Sequence, residues 1–232
     1  MSADAEKRSA ARAAALHVQS GMRLGLGTGS TTAHFLDALA ERCRDEGLQC
    51  VGVPTSQATE AQAHRLGLSL TTLDACPELD LTVDGADQIG PGLSLIKGGG
   101  AALLREKLVW EASARRIVIA DSAKLVDQLG AFPLPVEVVA FGHLTTAARI
   151  GKVLHDLGYA IQPKLRLDKD GDAVRTDSGH LIYDLALLAI TDEHLLAQSL
   201  KAITGVVDHG LFLGLADLAL IGTPSGVETR SA

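Results

Sequence analysis

Aromatic side chains are scarce in this chain, which holds one Trp, two Tyr and four Phe among 232 residues. No series of rings is available on which nucleic-acid bases could stack. Positive charge is also in short supply. Lys and Arg number 21 against 28 Asp and Glu, a formal net charge of -7, and no basic block is present to neutralise a phosphate backbone. Nucleic acid is therefore excluded as a partner, and an anionic ligand has to be held locally. No apolar run is long enough to span a bilayer, so no membrane partner is expected. Cysteines are few: Cys43, Cys50 and Cys76 are odd in number and lack paired metal-ligand spacing. The N-terminal residues show no charged region followed by an apolar signal core, so a reducing cytoplasm is the expected location. The cysteines read as small packing residues rather than nucleophiles. The histidines are scattered, no Ser-His-Asp arrangement is suggested, and His209 reads as structural.

What is present is a core-forming sequence, 47% hydrophobic, with alternating strand and helix patterns. An alanine-rich helix over Ala5 to Gln19, ended by Gly21, precedes a strand from Met22 to Leu26. A glycine turn and a helix from Thr32 to about Arg44 follow. Further strands are expected at Cys50 to Val53, Leu68 to Leu73, Leu79 to Val83 and Ile117 to Ala120. Helices are expected at Gln57 to Leu66 and Ala101 to Arg116. Such alternation predicts an α/β fold, a mostly parallel sheet with helices on both faces in the Rossmann-like manner.

From Pro133 the order changes to βαββαβ. Strands are expected at Val136 to Phe141, Ala160 to Leu167, His180 to Ile190 and Val206 to Phe212, with helices at His143 to Leu157 and Glu193 to Ala202. That is the order of a ferredoxin-like α+β unit. Leu215 to Ile221 is apolar again and is expected to return to the first sheet. The second unit is then an insertion at 133–212, and the catalytic α/β domain comprises 1–132 plus 213–232.

Polar residues cluster directly after the expected strands: Thr28 and Ser30, Thr55 and Ser56, Asp84, then Asp121 and Lys124. Ligands of open α/β sheets bind beyond the carboxyl ends of strands, so these loops are expected to converge. Gly27-Thr28-Gly29-Ser30-Thr31 suits a phosphate, because glycines admit backbone amides and the hydroxyls add donors at a helix start. It matches neither standard nucleotide fingerprint, lacking both the P-loop Lys and the third glycine of the dinucleotide motif. A plain tight turn with Ser30 or Thr31 as helix cap is the alternative.

Asp84-Gly85-Ala86-Asp87 pairs two acids without a histidine or third carboxylate at ligand spacing, so no metal is expected. A turn cap is the other reading, and it suits Asp87 better than Asp84, which ends a buried strand. Lys97-Gly98-Gly99-Gly100 offers a cation and backbone amides to an oxyanion that develops during reaction, with a flexible hinge as the alternative. Glu106 has Ala102, Leu103, Val109 and Trp110 as helical neighbours, so desolvation should favour its protonated form and suit it to general base work. An exposed helical Glu, and for Lys124 a solvated surface lysine, are the competing readings.

Taken together these motifs resemble ribose-5-phosphate isomerase type A over nearly the whole chain. The resemblance is carried by the segments just described and by Arg105-Glu106-Lys107, Ala120-Asp121-Ser122-Ala123-Lys124, Phe132-Pro133-Leu134-Pro135-Val136-Glu137 and Gly222-Thr223-Pro224. It implies interconversion of D-ribose 5-phosphate and D-ribulose 5-phosphate in the pentose phosphate pathway, with no cofactor or metal, by a cytoplasmic homodimer or higher homo-oligomer. It further implies Glu106 as the base moving a proton between C1 and C2 through an enediol. Asp84 would assist ring opening, and Lys97 with Gly98, Gly99 and Gly100 would stabilise the enediolate. Asp87, with Gly85 and Ala86, would bind sugar, while Thr28, Gly29, Ser30, Thr31 and Lys124 would hold substrate, its phosphate included. Two departures stand out: Gln88, where relatives commonly place Glu, and the apolar Leu213-Gly214-Leu215 link. A sugar-phosphate-binding regulatory module, which needs a phosphate loop but no base, and a related phosphosugar deaminase or lactonase are the remaining readings.

Overall fold

A computed structural model describes residues 2–231. Contacts group the chain into two compact units, Met1–Ala86 with Arg105–Leu125 and Gly214–Ala232, and Asp87–Leu104 with Val126–Leu213.

The first unit is built on a six-stranded sheet. Its strands are β1 (Arg23–Leu26), β2 (Val51–Pro54), β3 (Leu81–Gly85), β6 (Arg116–Asp121), β12 (Leu218–Thr223) and β13 (Gly226–Ser231), in the order β13-β12-β6-β3-β1-β2. All neighbours are parallel except the β12–β13 hairpin. As expected, the chain returns to this sheet after the second unit, through β12. Helices α1 (Ala3–Ala15) and α2 (Ser30–Asp45) pack on one face, where Ala10, Ala14, Phe35 and Leu39 meet Leu24, Leu26, Val83, Ile117 and Ile119. The other face is covered by α4 (Leu103–Glu111): Val109 lies so close to Gly25 that a Cβ there would approach its Cγ1 to 2.5 Å. Small residues on α1 and Gly25 in β1 thus set how closely helix and sheet approach. Helix α3 (Gln57–Arg65) starts at an N-cap, Ser56, whose hydroxyl accepts the Thr59 N–H.

Two expectations fail here. The strand expected at Leu68 to Leu73 is reduced to a single bridge between Leu70 and Gly52, after which Thr72 turns the chain by accepting the Ala75 N–H. The helix expected to run to Arg116 ends at Glu111, because Arg116 already belongs to β6, where Asp217 holds its backbone N–H and guanidinium. The hairpin strand β13 has no apolar alternation, its residues from Val227 on being exposed, and the sequence pattern does not reveal it.

The second unit contains β7 (Leu134–Val138), α5 (His143–Asp156), β8 (Lys164–Leu165), β9 (Leu181–Leu185), α6 (Glu193–Lys201) and β10 (Val206–His209). The sheet order β10-β7-β9-β8, antiparallel throughout, is the ferredoxin-like arrangement expected from the element order. Ile150, Leu154, Leu196 and Leu200 of the two helices bury the alternate residues Val136, Val138, Leu181 and Tyr183. The expected strand from Val206 to Phe212 divides at Gly210. Its second part, β11 (Leu211–Phe212), joins β4 (Gln88–Ile89) and β5 (Leu95–Ile96) in a separate small sheet. These pairings explain why residues 87–104, taken from the sequence as part of the α/β domain, group by contact with the second unit.

Among the described residues no helix is long and apolar enough to cross a membrane. None of their His, Cys, Asp and Glu side chains form a group of three or more that could hold a metal ion.

Candidate active site

Asp84 is fully buried near the carboxyl end of β3. Its Oδ1 accepts the N–H groups of Thr28 (3.0 Å) and Gly85 (2.7 Å), and its Oδ2 accepts the Trp110 indole N–H at 3.2 Å. Donors on both oxygens fix the direction of this carboxylate. Gly27 makes the approach of β1 possible, since a Cβ there would stand 2.1 Å from Asp84 Oδ1. Trp110 lies one helical turn beyond Glu106 on α4, and both are buried, with Glu106 4% exposed. The face of α4 that steadies Asp84 is therefore the face that carries Glu106.

The turn after β1 is stitched by hydroxyls. Thr28 Oγ1 is within hydrogen-bond distance of the hydroxyls of Thr55 (2.7 Å), Ser56 (2.9 Å) and Thr59 (3.2 Å). Thr59 and Thr55 in turn donate to the Gly27 and Leu26 carbonyls. Convergence of the β1 and β2 loops is thus observed, with Thr59 as a member the sequence reading missed. Its signal was available in Ser56-x-x-Thr59, the spacing of a helix cap. Neither Ser30 nor Thr31 caps α2: Gly29 is the N-cap, at φ 116°, and makes no side-chain cap bond. Ser30 and Thr31 occupy the first turn instead, where backbone N–H groups have no intrahelical acceptor and suit an anion.

Helix α1 of the same unit brings charge to this turn and is tied to the turn after β6. Helix α1 places Lys7 so that its Nζ donates to Ser30 Oγ at 3.0 Å. Its neighbour Glu6 accepts both the hydroxyl (2.8 Å) and the N–H (3.1 Å) of Ser122, which opens the single 3-10 turn Ser122–Lys124 after β6. These bonds to Ser122, the hydroxyl first, hold the Glu6 carboxyl below the usual carboxylate range. Lys124 is thereby on a turn anchored to α1, one residue along from the lysine that meets Ser30. The sequence reading missed Lys7, because nothing local distinguishes it from other lysines of an amphipathic helix.

In the second unit, Lys97 follows β5 and is 2% exposed. Its N–H donates to the Gly210 carbonyl (2.9 Å), and its Nζ lies 5.4 Å from the centre of the Phe212 ring, a cation–π arrangement. Gly98 has φ 104°, a backbone that L side chains rarely adopt, and a Cβ there would also crowd Leu103 at 2.9 Å. The Gly99 N–H donates to Asp87 Oδ2 at 2.7 Å, so the loop and the second acid of the Asp84-Gly85-Ala86-Asp87 motif are joined. Gln88 accepts the Gly130 N–H at 2.9 Å, an acceptor role its amide oxygen fills without charge. His209 accepts the Leu211 N–H on Nδ1 and is buried, in keeping with a structural role. Burial pushes the Cys50 thiol up to about 12, with Cys43 Sγ 3.9 Å away, which leaves it a poor nucleophile.

An α/β sheet with a pinned carboxylate at one strand end, a buried helical Glu and a lysine at an anion-receptive turn is a layout suited to acid–base chemistry on an anionic substrate. The pattern described as ribose 5-phosphate isomerase A (phosphoriboisomerase A) matches residues 51–226. Ribose-5-phosphate isomerase A of Caulobacter vibrioides is 59% identical over 228 residues, covering 98% of each chain. Two solved structures superpose over essentially the full length. Ribose 5-phosphate isomerase from Plasmodium falciparum has a TM-score of 0.93 at 37% identity, covering 99% of both chains. A D-ribose-5-phosphate isomerase in complex with phospho-erythronic acid has a TM-score of 0.93 at 35% identity, covering 100% of both. The chain belongs to the ribose 5-phosphate isomerase A family.

Proposed function

We propose a division of labour among these residues for an isomerase whose reaction is the isomerisation of ribose 5-phosphate. The observation that carries it is the Asp84 carboxylate, pinned by Thr28, Gly85 and Trp110, with buried Glu106 on the same helix face as Trp110. Aldose–ketose exchange needs a base for the C2 proton, a group to move hydroxyl protons, and charge to stabilise the enediolate. Glu106 takes the proton from C2 and returns it to C1. Asp84, held in one direction, serves ring opening and transfer between O1 and O2. Lys97, with the Gly98 to Gly100 backbone, stabilises the enediolate oxygen. Asp87 directs sugar hydroxyls, and Gly85 and Ala86 line the sugar chain.

Thr28 to Thr31, Lys124 and Lys7 hold the phosphate, at the first turn of α2. Binding energy there is remote from the reacting carbons and is used to position them. The phospho-erythronic acid held by a relative supports this pairing of demands, since such a compound joins a phosphate to a carboxylate whose charge resembles an enediolate.

The chain acts as a homodimer or higher oligomer in the cytoplasm. Exposed Phe141 and Leu144, beside Val139, support association, and three free thiols fit a reducing compartment. The test is incubation with ribose 5-phosphate in the presence of a chelator while ketose is measured. Ketose should appear at an unreduced rate. Binding without conversion would instead support the regulatory module, and release of ammonia from an amino sugar phosphate or opening of a lactone would support the deaminase or lactonase.

A further inference from the structure

Arg166, just after β8, forms a two-pronged pair with Asp184 of β9: Nε to Oδ2 at 2.8 Å and Nη2 to Oδ1 at 2.5 Å. The two side chains are only 16% and 25% exposed. The third nitrogen of the same guanidinium, Nη1, donates to the carbonyls of Gly98 (2.9 Å) and Gly99 (3.1 Å). Its backbone is fixed as well, donating to Ile182 O and accepting from Val174 N. One planar group therefore spans a carboxylate and two successive peptide carbonyls, a geometry that an ammonium cannot reproduce.

Consecutive glycines have the greatest backbone freedom of any sequence, so a loop of three needs external restraint to present its amides in one direction. In a trans peptide the C=O and N–H point to opposite sides of the chain. Holding the carbonyls of Gly98 and Gly99 on Arg166 therefore turns the N–H groups of Gly99 and Gly100 away from it. The Gly99 N–H does go to Asp87. A cation at both carbonyl oxygens also polarises these peptides and strengthens their N–H groups as donors.

We infer that Arg166, oriented by Asp184, is a positioning residue that sets the direction of the Lys97 to Gly100 loop. This rests on the proposed role of that loop in stabilising the enediolate. Neither residue belongs to a motif singled out in the sequence, and Arg166 is 68 residues from Gly98.

The test compares Arg166→Met, Arg166→Lys and Asp184→Asn with Lys97→Met, measuring kcat, KM, affinity for phospho-erythronic acid, thermal midpoint and hydrogen exchange of amides 99–101. Arg166→Met should lower kcat on the order of 10²-fold, the usual scale for a misplaced reacting group. KM should stay within about twofold, because an interaction made mainly in the transition state leaves ground-state binding alone. Phospho-erythronic acid should bind correspondingly weaker and the loop amides should exchange faster, with some fall in the midpoint because Asp184 loses its partner, so kcat is compared on the folded protein. Arg166→Lys should fail to rescue, and Asp184→Asn should reproduce part of the loss, which keeps the test decisive if Arg166→Met folds poorly. Full kcat in Arg166→Lys, or a fall in thermal midpoint with kcat intact, would overturn the inference. If Lys97→Met keeps full kcat, the loop's catalytic role falls and the inference with it. If Lys97→Met loses kcat while folded Arg166→Met and Asp184→Asn do not, only the positioning role falls.

Discussion

Trp110 donates its indole N–H to Asp84 Oδ2 across 3.2 Å, joining the α4 helix to the end of β3 inside the core. Trp110→Phe keeps a ring but removes one donor from a buried carboxylate. The expected cost is about 1.5–3 kcal/mol for a hydrogen bond to a charged group. Urea unfolding should show it as a lower midpoint, with turnover reduced as well because Asp84 loses a restraint.

Glu106→Gln preserves shape on α4 and removes the proposed base. Turnover should fall on the order of 10²–10⁴-fold, while circular dichroism and KM for ribose 5-phosphate stay close to the parent. Near-normal turnover would refute Glu106 as the base.

Gly27→Ala would bring a Cβ to within 2.1 Å of Asp84 Oδ1 and 2.6 Å of Asp84 Cα. The carboxylate could swing aside but the Cα could not, so strand and acid must shift together. Destabilisation of about 1–3 kcal/mol, the range for overpacking, should accompany loss of activity, both readable from one denaturant series with activity assays on the folded protein.

Lys7→Met should raise KM for ribose 5-phosphate roughly tenfold or more, as for loss of a charge-assisted contact, with a smaller change in kcat. Added salt should narrow the gap between variant and parent. An unchanged KM at low ionic strength would remove Lys7 from the phosphate group.

Asp80 carries the clearest pH signature. Arg23, through its side chain and then its N–H, lowers the Asp80 carboxyl from 3.8 to about 2. A folded-state value below the unfolded one means the pair stabilises the fold fully above about pH 4. That contribution is lost as pH falls from about 4 toward 2. The pair is partly exposed, at 41% and 36%, so its worth is about 1 kcal/mol or less. Comparing Asp80→Asn with the parent should show a constant stability difference from pH 5 to 8 that shrinks toward zero at pH 2.

The fold was legible wherever burial imposes a pattern. Leu24 and Leu26 in β1, Val83 in β3 and Ile117 and Ile119 in β6 are apolar because parallel strands are covered on both faces. It was illegible where burial is absent or pairing is remote. Strand β13 is largely exposed and pairs with β12 at the sheet edge, whereas Leu68 to Leu73 has strand composition but finds a single bridge. The break at Gly210 depends on the Lys97 carbonyl, to which a Cβ at Gly210 would come within 2.2 Å.

The same division runs through the chemistry. Asp84, Glu106, Lys97 and the Thr28 to Thr31 turn are the proposed site residues that the chain alone suggests, because strand ends, helix starts and glycine runs are local features. That Lys7 reaches Ser30, that Trp110 holds Asp84, and that Arg166 grips Gly98 and Gly99 was decided by tertiary structure. Hydrogen bonds act over about 3 Å, and only strand register and helix packing bring residues so distant in the chain within that reach.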